Sequence, residues 1–352
     1  MIIPELRRCE ELVFHGEWDE LAQVAPIQRS FTFPHLRSLD SDTCLSALID
    51  GIGLVPPTFL WFSRALKIAP KLATVNIAGI VSLAVLPCHQ LTTVCGSELE
   101  VAQVARILRS CPDLQNLEVV FLLAGPDPSP NVIVHSSLRE LTIHIDADWL
   151  VEVIGPLARF SLPGLQTFTL DILPEEQDPV DPTSAVIAII QCFSASLRKL
   201  VLVAGSLNVH RTFFTKILHI CPNLHCFAAE VDAIHSKVDN GSECILHLIQ
   251  SLTITDTSQT LFATELTELN VHEYSTHMTS DYVTAFLDMV ESRSTGIRVT
   301  RLMDVELKYT RRPFVQPGLD YIDSYIPDSS IAERIKQLSQ KEIHCAIGPI
   351  RG

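Results

Sequence analysis

The sequence predicts an α/β solenoid: a curved array of short parallel strands on the inside and helices on the outside, with irregular repeats. Three observations predict it. A leucine template recurs along most of the chain, helical periodicity fills the intervals between its copies, and a proline closes several of those helices.

The template is L-x-x-L-x-L. It reads Leu114-x-x-Leu117-x-Val119, Leu138-x-x-Leu141-x-Ile143, Leu165-x-x-Phe168-x-Leu170, Leu197-x-x-Leu200-x-Leu202, Leu224-x-x-Phe227-x-Ala229, Ile249-x-x-Leu252-x-Ile254 and Leu266-x-x-Leu269-x-Val271. The starting positions step by 24, 27, 32, 27, 25 and 17 residues. That mean, near 25, lies within the period of leucine-rich repeats. The last positions of each copy alternate, as a short half-buried strand requires. Cys9-x-x-Leu12-x-Phe14 and Leu36-x-x-Leu39 carry the pattern almost to the first residue, so the start is expected to be a frayed edge or a truncated gene product.

Between the strands, apolar residues recur at the spacing of one helix face. Val101/Val104/Ala105/Leu108, Leu150/Val153/Ile154/Leu157, Val186/Ile189/Ile190/Phe193, Phe214/Ile217/Leu218/Cys221 and Val283/Phe286/Leu287/Val290 show it in full. Ser97, Asp148, Thr183, Asn208 and Ser280 are the expected N-caps. Cys111-Pro112 and Cys221-Pro222 end a helix, because the residue before proline is pushed out of helical geometry. A strand and a helix of this size cannot bury their apolar faces alone, so neighbouring units must stack on one continuous core.

Residues 1–310 read as the array and 311–352 as its C-terminal capping segment. That segment carries a capping box at Ser330-Ile331-Ala332-Glu333, a helix through Leu338 and a final strand over Ile343–Ile347. The proline-rich stretches Ala124–Asn131 and Pro174–Pro182 read as surface loops between units.

Composition narrows the function. Asp and Glu outnumber Lys and Arg, 41 to 26, and the net charge of −15 repels a phosphate backbone. No nucleic-acid partner is expected. The longest apolar stretch, Ile77–Pro87, is interrupted by Gly79 and Ser82 and falls well short of the roughly 20 residues that cross a bilayer. No membrane partner is expected either. Ten cysteines without a CxxC pair read as reduced, mostly buried thiols, and a cytoplasmic or nuclear location follows.

Catalytic signatures are missing from the strand-to-helix junctions: there is no GxSxG, no GxxxxGK[ST] and no GxGxxG. His219, Cys221, His225 and Cys226 have the composition of a metal site. A zinc site draws ligand pairs from separated segments, whereas Cys221 holds a helix end and Cys226 a strand, so they read as packing and surface residues. His89, between Cys88 and Cys95, reads the same way. Asp40/Asp42 and Asp146/Asp148 read as turn and cap residues, and Asn240-Gly241-Ser242 as a turn. No catalytic residue, cofactor or metal is expected.

What the alternation does offer is a face. The residues between the template leucines point to solvent on the concave side: Asn116, Glu118, Glu140, Thr142, His144, Thr167, Thr169, Asp171, Lys199, Glu268, Asn270 and His272. They are the candidate protein-binding residues.

The run Cys-Pro-x-Leu-x-x-Leu after an amphipathic helix, in CPDLQNLEVV from Cys111 and CPNLHCFAAEV from Cys221, resembles the leucine-rich repeats of fungal F-box proteins. SLRELTI at 137–143 and SLRKL at 196–200 are in the same style. The resemblance covers the repeat region. It implies repeats that hold a substrate while an N-terminal F-box docks a Skp-type adaptor of a cullin ubiquitin ligase. Ile3-Pro4-Glu5-Leu6 is superficially similar to the opening of an F-box, but a repeat strand follows it, and no F-box is found. The regular asparagine of many such repeats is replaced by Leu122, Asp146, Leu173 and Gly205.

The expected function is a non-enzymatic protein-interaction scaffold, in its specific form the substrate-recognition part of an F-box-type ligase adaptor. The alternative is a doubly wound α/β enzyme, since alternating strands and helices are common to both. A third reading is a decayed copy of an F-box protein.

Overall fold

The computed structural model describes residues 7–14, 32–41, 64–78, 86–120, 122–123, 125, 131–173, 183–204, 210–231, 240–255, 263–273, 280–295, 299–309 and 329–349. The protein is α/β, with parallel strands alternating with helices. It divides into two compact units, residues 1–145 with 152–165 and residues 146–151 with 166–352.

The first unit holds β1 (Glu11–Phe14), β2 (Ser38–Ser41), β3 (Thr74–Ala78), β4 (Thr93–Ser97), β5 (Asn116–Val120), β6 (Ile133–Val134), β7 (Glu140–Asp146) and β8 (Phe160–Ser161). Helix α1 spans Val101–Ser110, and α2 (Leu150–Leu157) draws residues from both units. β1 to β5 and then β7 form one parallel sheet in that order, while β6 pairs with β8. Register follows the leucine template: Leu39 opposite Val75, Val75 opposite Val94, Val94 opposite Leu117, and Leu117 opposite Leu141.

The second unit adds β9 (Thr167–Leu173), β10 (Lys199–Ala204), β11 (Cys226–Val231), β12 (Glu268–Glu273), β13 (Asp304–Tyr309) and β14 (His344–Pro349). Its helices are α3 (Thr183–Phe193), α4 (Phe213–Ile220), α5 (Asn240–Leu252), α6 (Ser280–Thr295) and α7 (Ser329–Gln340). Here each strand pairs in parallel with its neighbour in sequence, and one buried row runs Phe168, Leu200, Phe227, Leu269, Val305, Cys345.

The core of each unit lies between the buried strand positions and the apolar helix faces. Val101, Val104, Ala105 and Leu108 of α1 are buried, as are Val186, Ile189, Ile190 and Phe193 of α3. Phe168 of β9 meets Phe193 edge-on at 5.3 Å, and Phe214 of α4 meets Phe227 of β11 at 6.0 Å. Each such side chain taken from water contributes about 1.5–3 kcal/mol, which is why the template tolerates Phe, Val or Ile for Leu but no polar residue.

Several expectations need correction. Ile249-x-x-Leu252-x-Ile254 is not a strand: Ile249 and Leu252 belong to α5, where Cys244, Ile245, Leu248, Ile249 and Leu252 are all buried along one helical face. Asn240-Gly241-Ser242 opens that helix rather than forming a turn. Ser97 does not cap α1, because it is the last residue of β4, paired with Val120. Glu100 is the N-cap, in a capping box in which its side chain accepts the Gln103 N–H and its own N–H donates to Gln103 Oε1 at 2.8 Å. Asp148 lies inside a 3-10 turn, Ala147–Trp149, that leads into α2, and Thr183 and Ser280 are the first residues of their helices. Ser330 is within the first turn of α7, which runs on to Gln340. The Asn208 cap, the Pro174–Pro182 loop and most of Ala124–Asn131 fall outside the described residues.

Candidate protein-binding strand face

Every residue expected on the strand face sits at an exposed or half-buried strand position next to a buried one. In the first unit the register aligns two polar rows. Ser38, Thr74, Thr93, Asn116 and Glu140 form one; Asp40, Asn76, Cys95, Glu118 and Thr142 form the other. Side chains bond along these rows: Asn76 Nδ2 donates to Asp40 Oδ1 at 2.9 Å, and Asn116 Nδ2 to Thr93 Oγ1 at 3.4 Å. His144, farther along β7, brings Nε2 to 3.6 Å from Glu118 Oε1. Burial, followed by the charge and hydrogen bond of Glu118, pushes the Cys95 thiol up to about 11, so it stays protonated on this face.

The second unit aligns three rows: Thr167, Lys199, Cys226, Glu268, Asp304, His344; then Thr169, Val201, Ala228, Asn270, Glu306, Ala346; then Asp171, Val203, Glu230, His272, Lys308, Gly348. Charge concentrates toward β11–β14. His272 stands between Glu230 at 3.8 Å and Glu306 at 3.3 Å, Lys308 Nζ lies 2.9 Å from Glu306, and His344 Nδ1 lies 2.8 Å from Asp304. The hydrogen bond to Glu230 raises the His272 pKa, burial opposes it, and Glu306 adds to the rise. Burial works against the charged form of Glu306, but the hydrogen bonds from Lys308 and His272 outweigh it and hold this carboxyl below its ordinary range.

Glu230, Asp304, Glu306, Lys308 and His344 belong to this face although they are not among the expected residues. The same alternation places them there. β11 reads Cys-Phe-Ala-Ala-Glu, whose small middle residues hide the polar position that follows, and Val305-x-Leu307 in β13 and Cys345-x-Ile347 in β14 carry the same alternation.

His219, Cys221, His225 and Cys226 do not converge. His219 Nδ1 donates to Thr215 O within its helix, His225 Nδ1 donates to Asn223 O in the turn, and Cys221 and Cys226 are buried. Burial pushes each of those two thiols up to about 12, with Glu268 adding to the effect at Cys226. Among the described residues no three His, Cys, Asp or Glu side chains are grouped as a metal site, and no helix is long and apolar enough to cross a membrane.

No family model matches the sequence, and no curated protein matches it. Among solved structures, the crystal structure of a Bacteroides fragilis protein aligns with a TM-score of 0.40 at 12% identity, over 70% of this chain and 68% of that one. A likeness that distant supports no conclusion about function.

Proposed function

We propose that the chain is a non-enzymatic protein-binding scaffold, built as a leucine-rich-repeat solenoid with strands lining a concave face and helices outside, and that this face holds a protein partner. One observation carries the reading. In each unit the solvent-reaching strand positions stack in register into rows, largely polar in the first and carrying in the second an ion-paired cluster at Glu230, His272, Glu306 and Lys308. Such rows combine a rigid backbone with side chains that differ from rung to rung, which is what selective protein recognition needs. The resemblance of the Cys-Pro-x-Leu-x-x-Leu runs to fungal F-box repeats supports the narrower form, a substrate-recognition part of a ubiquitin-ligase adaptor in cytoplasm or nucleus, with a Skp-type adaptor bound through an upstream F-box.

The test is affinity purification of the natively expressed protein beside a Glu268→Ala/Asn270→Ala/His272→Ala variant, with mass spectrometry of the bound chains and of the N-terminus. Partners held by the face are lost from the variant while its thermal unfolding stays close to wild type. Equal recovery from both proteins overturns the reading. Co-purification of a Skp-type adaptor with an upstream F-box segment distinguishes the ligase form from generic binding. A compact rather than arc-shaped particle in solution scattering favours the doubly wound enzyme.

A further inference from the structure

β4 and β5 pair with Thr93 opposite Asn116, 23 residues apart. The same offset holds just before the strands, where the Gln115 N–H donates to Thr92 O at 2.8 Å, and it carries Cys88 onto Cys111. The two cysteines thus occupy one position on adjacent rungs, at the turn that enters each strand. Cys88 lies in a 3-10 turn, Cys88–Gln90, and Cys111 is the C-cap of α1. Adjacent strands run about 4.8 Å apart, inside the roughly 4.4–6.8 Å window of Cα separations that a disulfide spans. Both cysteines are free thiols, and the side-chain hydrogen bond between them lowers the Cys88 pKa.

The two partners are unlike. Cys111 is fully buried, whereas Cys88 is half-buried beside an open hollow lined by its neighbours His89 and Gln90 together with Asp113 and Arg139. The bond that lowers the Cys88 pKa, together with burial, pushes Cys111 up. Thiolate character therefore falls on the sulfur that solvent can reach, the arrangement seen where an attacking thiol has a resolving neighbour. On the next rung His135 Nε2 donates to Cys111 O at 2.9 Å while its Nδ1 accepts from the Leu138 N–H, and so holds the Cys111 backbone in place. The molecule contains its own control. Cys221 holds the same turn position in the second unit, but the register there places Ser194 and Ala263 on the adjoining rungs, and no second sulfur flanks it.

We propose that Cys88 and Cys111 form a site of reversible oxidation by hydroperoxides, closing into a disulfide between adjacent rungs. The Cys88 thiolate attacks one peroxide oxygen. The O–O bond breaks, Cys88 becomes a sulfenic acid, and the other oxygen takes up a proton and leaves as water or an alcohol. The Cys111 sulfur then attacks the Cys88 sulfur, the S–O bond breaks, and the departing hydroxide takes the Cys111 proton to leave as water. The thiol pair has lost two electrons to one peroxide. A dithiol reductant reverses the change by exchange, restoring both thiols and becoming a disulfide itself.

The test takes the full-length protein, reduced and desalted, treats it with equimolar hydrogen peroxide, blocks remaining thiols with N-ethylmaleimide in denaturant, and maps peptides without reduction. The expected product is a Cys88–Cys111 linked peptide, two hydrogens lighter than its parts, with both thiols lost from the maleimide count and recovered after dithiothreitol. Cys221 stays alkylated. In Cys111→Ala the link is gone and Cys88 is captured by dimedone as the sulfenic acid, which the wild type yields only in trace. The proposal is overturned if Cys88 and Cys111 both remain alkylated, if Cys88 passes to sulfinic acid unlinked in the wild type, or if Cys88 links indiscriminately to other cysteines. Wild-type mapping decides these outcomes even where the variant does not fold.

Discussion

His272 Nε2 lies 3.3 Å from Glu306 Oε2, diagonally across on β13 where Lys308 is its register partner, and its other ring nitrogen faces Glu230, which is in register with it on β11. The hydrogen bond to Glu230, opposed by burial and reinforced by Glu306, raises the folded-state pKa above the ordinary 6.5. A raised histidine binds its proton more tightly in the folded chain. Its stabilisation is therefore complete below pH 6.5 and fades as pH rises through the higher folded value. Because the side chain is 28% exposed, the effect stays under about 1 kcal/mol. His272→Gln is expected to remove this decline in thermal stability as pH rises above 6.5. An NMR titration of the His272 ring with a midpoint at or below the ordinary value contradicts the assignment.

Gly164 sits where the turn before β9 passes against its neighbour. A Cβ there collides with the Ser136 carbonyl oxygen and comes within 3.1 Å of Leu138 O. Both obstacles are backbone and cannot swing aside, and Arg139 Nη1 already holds Gly164 O at 3.1 Å. Gly164→Ala is expected to destabilise by about 1–3 kcal/mol, read as a lower midpoint in chemical unfolding. Gly155, whose Cβ meets nothing within 4 Å, is the matched control.

The strands were legible in the sequence because their signal is redundant: buried residues alternate, a leucine stands three positions before, and a helix end stands before that. The template alone is ambiguous, as Ile249 and Leu252 show. Apolar residues three apart fit the start of a strand and one helix face equally, and only Cys244, Ile245 and Leu248 upstream decide for the helix. The cap of α1 was hidden for a different reason. Ser97 has the better capping chemistry, yet pairing with Val120 holds it in β4 and passes the role to Glu100. Likewise the face followed from alternation, but the contact of His272 with both carboxylates depends on which residues oppose it, and register is set by pairing across rungs rather than by spacing within one.

Glu100 and Gln103 close each other's free donors at the start of α1. Glu100→Ala is expected to cost about 1 kcal/mol, and Glu100→Ser, which restores a side-chain acceptor, to recover most of it. Thermal unfolding followed by circular dichroism distinguishes the two variants. Equal losses in both show that the box contributes little.

Arg293, near the end of α6, is 2% exposed, and its Nη2 donates to Ala263 O at 2.7 Å. Burial lowers its pKa to about 10, so this cation is retained at a solvation cost. An apolar side chain of similar reach removes that cost along with the bond, and Arg293→Met is expected to lie within about 1 kcal/mol of wild type. Arg293→Ala, which also deletes the buried aliphatic stem, is expected to lose about 2–4 kcal/mol. A large loss in the methionine variant assigns the site to the hydrogen bond instead of the packing.

Val75 and Val94 meet in register across 19 residues of chain, and Phe227 and Leu269 meet just as squarely across 42. Doubling a connection costs only about 0.6 kcal/mol of closure entropy, less than one buried leucine returns. Separation along the polymer is thus uncoupled from neighbourhood in space. Segments between rungs are free to lengthen, shorten and diverge while the alignment of the faces they join stays the same.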